Sequence, residues 1–159
     1  MRQILVILIL LLSGCADSQE KYLGKFSYKN HFIGKEEILE IKKDGDAYLF
    51  NEDITTTSKI TPMKKIPEGF EINSKTISLS ADNNTLYFSN QSAQRVDNSY
   101  VEKYLLKIKE NKKNCDELQI EVNMKHKEIS DSKKWNEYVK TLRTREPEDC
   151  SLENSGMRW

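Results

Sequence analysis

Glu37-Ile38-Leu39-Glu40-Ile41-Lys42-Lys43-Asp44-Gly45-Asp46-Ala47-Tyr48-Leu49-Phe50-Asn51 is the stretch that decides the fold. Two short apolar-rich runs, Glu37–Lys42 and Ala47–Asn51, flank Lys43-Asp44-Gly45-Asp46, whose Asp-Gly pair supplies the positive φ that a tight hairpin turn requires. Upstream, Tyr22, Gly24, Phe26 and Tyr28 alternate with Leu23, Lys25, Ser27 and Lys29, which puts three aromatics on one face of a strand and makes that face core. Downstream, the span between Ile54 and Gly69 is rich in Thr, Lys and Pro. Pro62 and Pro67 cannot donate to a ladder, so edge strands and loops are expected there. Phe70–Asn73, Thr76–Ser80 and Thr85–Ser89 read as short strands separated by Ser74-Lys75 and by Ala81-Asp82-Asn83-Asn84. A polar loop from Asn90 to Asn98 follows, and Tyr100, Tyr104, Leu106 and Ile108 mark one more strand. About seven or eight strands in up-and-down order predict a curled sheet or small barrel.

The C-terminal part changes character. Residues 116–145 lack Gly and Pro, and Leu118, Val122, Ile129, Trp135, Tyr138, Val139 and Leu142 recur at helical spacing. Leu118, Ile120, Val122 and Met124 also alternate, which leaves a strand open for that short run. The expected fold class is therefore α+β: an antiparallel up-and-down β-sheet or small barrel followed by a C-terminal helical hairpin.

At the N-terminus, Arg2 precedes an unbroken apolar run from Ile4 to Leu12, which Ser13-Gly14-Cys15 ends. The run is too short to span a bilayer stably as a helix, and the small residues before Cys15 suit a signal-peptidase pocket. Leu12-Ser13-Gly14-Cys15 resembles the lipobox of bacterial lipoproteins at all four positions. That resemblance implies removal of residues 1–14, a diacylglycerol thioether on Cys15 and an acyl chain such as palmitate on its new amine. Several chains hold a protein at a membrane where one does not, at about 0.8 kcal/mol per buried methylene. Ala16, rather than Asp, follows the modified cysteine, and in the enterobacterial members of the family this implies the outer membrane. The expected organisation is a signal peptide over 1–14, a lipidated tether over 15–21, a β-domain over 22–108, and a disulfide-linked helical segment over 109–159 belonging to the same domain.

With Cys15 lipidated, Cys115 and Cys150 remain as an even pair in an oxidising compartment, and a disulfide between them is expected. One straight helix from 116 to 145 would run about 45 Å, whereas bridged cysteines need Cα atoms within about 7 Å. The tail must therefore bend, and Ser130-Asp131-Ser132 is the natural break, with Asp131 or Ser132 capping the second arm. Two arms of about 21 Å each return Cys150 beside Cys115.

Lys plus Arg and Asp plus Glu number 25 each, so no basic excess attracts nucleic acid. No zinc spacing, EF-hand loop, nucleophile elbow, phosphate loop or dinucleotide fingerprint is present. No cofactor, metal site or catalytic residue is assigned, and the expectation is a non-enzyme. Glu36, Glu37 and Glu40 read as solvent-facing strand charges, although Glu37 turns inward if Leu39 and Ile41 do. His31 reads as a loop residue and His126 as an exposed helix position.

Gly24-Lys25-Phe26 is similar to the Gly-x-Trp signature that opens the lipocalin barrel, with Phe26 standing where the family has Trp. That resemblance implies an up-and-down barrel with a following helix and a small apolar ligand among residues such as Phe26, Tyr48 or Phe50, Phe88 and Tyr104. The leading functional expectation is a membrane-anchored, periplasm-facing lipoprotein that binds or blocks a protein partner, as inhibitors, immunity factors, exclusion factors and assembly accessories do. Binding of a small apolar ligand is the alternative.

Overall fold

The computed structural model describes residues 18–56 and 60–158. The signal expected over 1–14 and the lipidation expected at Cys15 lie outside the described residues. The chain divides into two compact units, one reaching Asn98 and the other spanning Ser99–Trp159.

The first unit is an eight-stranded antiparallel barrel in up-and-down order: β1 Gly24–Lys29, β2 Glu36–Asp44, β3 Ala47–Asn51, β4 Ile60–Ile66, β5 Gly69–Ile72, β6 Lys75–Leu79, β7 Thr85–Phe88 and β8 Gln91–Val96. It closes where β1 pairs antiparallel with β8, Phe26 opposite Arg95. The hairpin that decides the fold forms, with Asp44 opposite Ala47 and Gly45 at φ 57°. Period-2 alternation sends Phe26 and Tyr28, Leu39 and Ile41, Tyr48 and Phe50, and Leu86 and Phe88 into one buried cluster. Aromatic contacts fill the interior in two groups. Tyr48 and Tyr22 lie 4.8 and 5.2 Å from Phe70, while Tyr28 and Phe50 lie 5.1 and 5.8 Å from Phe88, measured between ring centroids.

A single turn of 3-10 helix, Glu20–Tyr22, stands before β1, and the buried Tyr22 donates from its hydroxyl to the Glu68 carbonyl at 3.0 Å. Arg95 of β8 locks this end. Its guanidinium lies 4.5 Å from the Phe26 ring centroid and donates to the carbonyls of Leu23 at 2.8 Å, Lys21 at 2.7 Å and Asn83 at 2.9 Å. Charge-assisted bonds of this kind are among the stronger ones a surface-side arginine makes. Gly24 beside it holds φ 141°, a conformation that residues with a side chain rarely adopt, and a Cβ there would also stand 2.5 Å from Arg95 Nη1.

Three expectations are corrected here. The polar run from Asn90 to Asn98 supplies β8, because Ser89 and Asn90, at φ 44° and 65°, form the two-residue positive-φ turn that matches strand twist and sets β7 against β8. Pro62 lies inside β4 of a closed barrel. The ladder from β4 to β5 begins only at Lys64, which leaves one side of β4 without a ladder bond to lose at the proline. Residues 100–108 are helical rather than a ninth strand, since Tyr100, Tyr104 and Ile108 recur every fourth residue and no Gly or Pro interrupts them. The helix that replaces this strand begins at Asn98.

The second unit is built on α1, Asn98–Glu128, and α2, Ser132–Arg143. The bend falls where the length argument puts it, and the Asp131 carboxylate caps α2 by accepting from Lys134 N at 2.8 Å. Cys115 and Cys150 are bridged, with Cα atoms 5.5 Å apart across 35 residues of sequence. Closing such a loop is worth about 4 kcal/mol in the chain-entropy account. Leu118, Val122, Trp135, Val139, Leu142 and Leu152 form the core. The segment after α2 packs as a third layer. Trp135 Nε1 donates to the Gly156 carbonyl at 2.7 Å, and Arg158 lies 4.5 Å from the Trp135 ring centroid. Arg158 also donates to the His126 carbonyl at 3.0 Å and to that of Ile129, satisfying carbonyls at the end of α1. His126 is half-buried, its ring perpendicular to that of Trp135, rather than exposed.

Glu121 joins the two helices, accepting from Arg145 at 2.7 and 3.0 Å and from the Tyr138 hydroxyl at 3.1 Å. The Arg145 bonds hold the Glu121 carboxyl below its ordinary range. Burial, together with the bond to Glu121, pushes the Tyr138 phenol from 10.0 up to about 12. A raised phenol pKa stabilises the folded unit fully below pH 10, and that contribution is lost as pH rises through 12. The melting temperature of the helical unit should therefore fall between about pH 10 and 12, and Tyr138→Phe should flatten that alkaline limb. Thermal melts of both proteins at about pH 9 and about pH 11.5 check this; equal slopes would remove Tyr138 from the account.

Candidate interaction site at the barrel mouth

The two ends of the barrel are built differently. The end near Gly24 is sealed by Tyr22 and Arg95, whereas the other carries the β1–β2 loop, Asn30–Lys35, and the tight turns at Asn73-Ser74 and Ser89-Asn90. At this mouth, Phe32 is 93% exposed and Ile33 53%. Neither side chain belongs to the buried cluster of the barrel.

The loop is fastened from below. Asn30 N donates to the Lys35 carbonyl and Gly34 N to the Asn30 carbonyl, both at 2.8 Å, while Asn30 Oδ1 accepts from Phe32 N at 3.0 Å. Asn30 Nδ2 reaches the Glu37 carboxylate at 3.0 Å, and the Tyr28 hydroxyl donates to the same oxygen at 2.5 Å. Glu37 is buried, so it does not face solvent as a strand-end charge. It follows Leu39 and Ile41 inward through strand alternation and is satisfied there by Tyr28 and Asn30. Burial, then the bond to Glu37, raises the Tyr28 phenol well above its ordinary value and keeps it a donor. The neighbouring Glu36 accepts from Ser27 Oγ at 2.5 Å. A buried carboxylate thus holds the base of a loop whose tip is apolar and exposed.

Two depressions lie at this end of the barrel, and the first includes His31 of the loop. A groove of about 670 Å³ runs past His31, Lys75, Tyr87, Asn90, Gln91 and Ser92. A smaller cleft of about 230 Å³ has Phe50, Ile77 and Phe88 with Glu52, Thr61 and Lys75 among its lining residues. Of the side chains expected to enclose an apolar ligand, Phe26 and Tyr48 are fully buried in packed core, and Tyr104 belongs to α1. Phe50 and Phe88 do meet, at the cleft.

Among the described residues no group of three or more His, Cys, Asp or Glu side chains is placed to hold a metal, and no helix is long and apolar enough to cross a membrane. Cys115 and Cys150 come together as expected, in the helical unit. Sequence reasoning missed Asn30, Phe32 and Ile33. The signal was an apolar pair placed between Asn30 and Gly34, two residues that suit a turn. Comparison of the chain with known protein families, with characterised proteins and with solved structures finds no match in any of the three.

Proposed function

We propose that this protein is a lipid-anchored lipoprotein of the outer membrane whose barrel serves as a protein-interaction module facing the periplasm. The observation that carries this reading is the mouth itself: an interior packed with aromatic side chains, capped by a fastened loop that holds Phe32 and Ile33 in solvent. Leu12-Ser13-Gly14-Cys15 supports the anchor. Enzymatic chemistry is not part of this reading, which uses no nucleophile, metal or cofactor.

The anchor is tested by replacing Cys15 with Ser and supplying a fatty-acid analogue. Labelling of the wild-type chain should vanish in Cys15→Ser, and the signal should remain attached; undiminished labelling would overturn the anchor. Small-ligand binding keeps second place on the strength of the apolar floor of Phe50, Ile77 and Phe88. At about 230 Å³ that cleft is smaller than the roughly 300–1,000 Å³ usual for ligand sites.

A further inference from the structure

We propose that the cleft floored by Phe50, Ile77 and Phe88 is a binding site for an apolar α-amino acid, held by its own two charges between Glu52 and Lys75. This rests on the small-ligand reading and names its ligand class; it uses neither the anchor nor the Phe32 loop. Three observations carry it.

The first is that the fold builds the cleft. Toward the mouth, pairing of β4 with β5 stops at Lys64 opposite Glu71, and pairing of β6 with β7 stops at Ser78 opposite Tyr87. Thr61 and Ile72 therefore stand beyond the first ladder, and Ile77 and Phe88 beyond the second. All four line the cleft. The β5–β6 hairpin is thus without ladder partners on both flanks at the mouth, and the opening reaches side chains that strand alternation turns toward the core.

The second is lining and size. Phe50, Ile77 and Phe88 belong to the buried cluster and Ile72 packs against it, so the floor is apolar and fixed by the barrel. At about 230 Å³ the cleft has room for about eight waters at roughly 30 Å³ each, which suits a ligand the size of leucine and not a lipid.

The third is charge. Glu52 and Lys75 line the same cleft, and among the described residues neither side chain enters an ion pair or a hydrogen bond. Tyr28 reaches only the main-chain carbonyl of Glu52, at 3.5 Å. The carboxylate of the neighbouring Asp53 is engaged by its own loop, accepting from Thr55 N at 2.9 Å and from Thr55 Oγ1 at 2.7 and 2.8 Å. One carboxylate and one ammonium above an apolar floor match the ammonium, the carboxylate and the apolar side chain of a single α-amino acid. A ligand with one charge covers the other group without pairing it, which costs affinity.

The test is calorimetric titration of the purified full-length chain with leucine, with isocaproate, which lacks the ammonium, and with isoamylamine, which lacks the carboxylate. Leucine should bind about tenfold or more tightly than either, the usual worth of a charge-assisted hydrogen bond. It should shift the amide resonances of Asn73 and Ser89 at the cleft and leave those of Asp46 and Asp82, in turns at the sealed end, unmoved. Glu52→Gln should weaken leucine about tenfold and leave isocaproate unchanged, and Lys75→Gln should weaken leucine about as much and leave isoamylamine unchanged. A merely structural role for either residue would weaken all three probes together. Circular dichroism checks that both variants keep the barrel.

Isocaproate or isoamylamine binding as tightly as leucine would overturn the amino-acid assignment while keeping a small apolar ligand in the cleft. Leucine binding indifferent to both substitutions, or shifts confined to residues outside the cleft, would overturn it as well. Neither heat nor shifts with any of the three probes at millimolar concentration would defeat the small-ligand reading together with it.

Discussion

Trp135→Ala should lower the stability of the helical unit by about 3–5 kcal/mol, the usual cost of truncating a buried large aromatic. Trp135 has no exposed surface, and more than packing depends on it. Its indole donates to the Gly156 carbonyl, its face carries Arg158, and its ring centroid lies 5.1 and 5.4 Å from those of His126 and Tyr138. Removal leaves a cavity between α1 and α2 and frees the segment after Cys150 from its main attachment. Urea unfolding followed by helical circular dichroism, with amide exchange at residues 152–158, measures both effects. A loss below about 1 kcal/mol would mean that the disulfide, and not the tryptophan, organises this unit.

A loss of similar size, about 3–5 kcal/mol, is expected for Phe26→Ala in the barrel. Phe26 is wholly buried on β1, opposite Arg95 in the pair of strands that closes the barrel. Truncation opens a cavity and removes the ring over which the Arg95 guanidinium lies at 4.5 Å. The three carbonyl bonds of Arg95 remain, so the clamp is weakened rather than abolished. Faster amide exchange concentrated in β1 and β8 is the expected signature. Uniform loosening of all eight strands would show that the closing seam is no weaker than the rest of the barrel.

The buried Glu37 shows how far strand period can take a functional reading. Alternation placed it on the face of Leu39 and Ile41, and strand-end position argued for solvent. Position alone cannot settle the matter, because the outcome depends on Tyr28 and Asn30, which reach Glu37 across β1 and its loop. An unpaired carboxylate would have cost too much to bury, whereas one with two donors is retained inside. The helical start at Asn98 was misread for a different reason. Tyr100, Tyr104, Leu106 and Ile108 share even parity, so a period of two and a period near four both fit them.

Local chemistry in the sequence determined what depends on neighbours along the chain: the Asp44-Gly45 turn, the alternation of the aromatic strands, the cap at Asp131 and the bend that lets Cys115 meet Cys150. These follow from φ preference, side-chain period and rise per residue, all of which act within a few residues. Closure was decided only in three dimensions. Nothing in Gln91-Ser92-Ala93-Gln94-Arg95-Val96 reads as a core strand, yet it pairs with both β7 and β1, because an open sheet would leave those edge N–H and C=O groups without ladder partners. The same closure gives the barrel a sealed end and a mouth, and so sets Phe32 and Ile33 in solvent on a loop that the buried Glu37 holds in place.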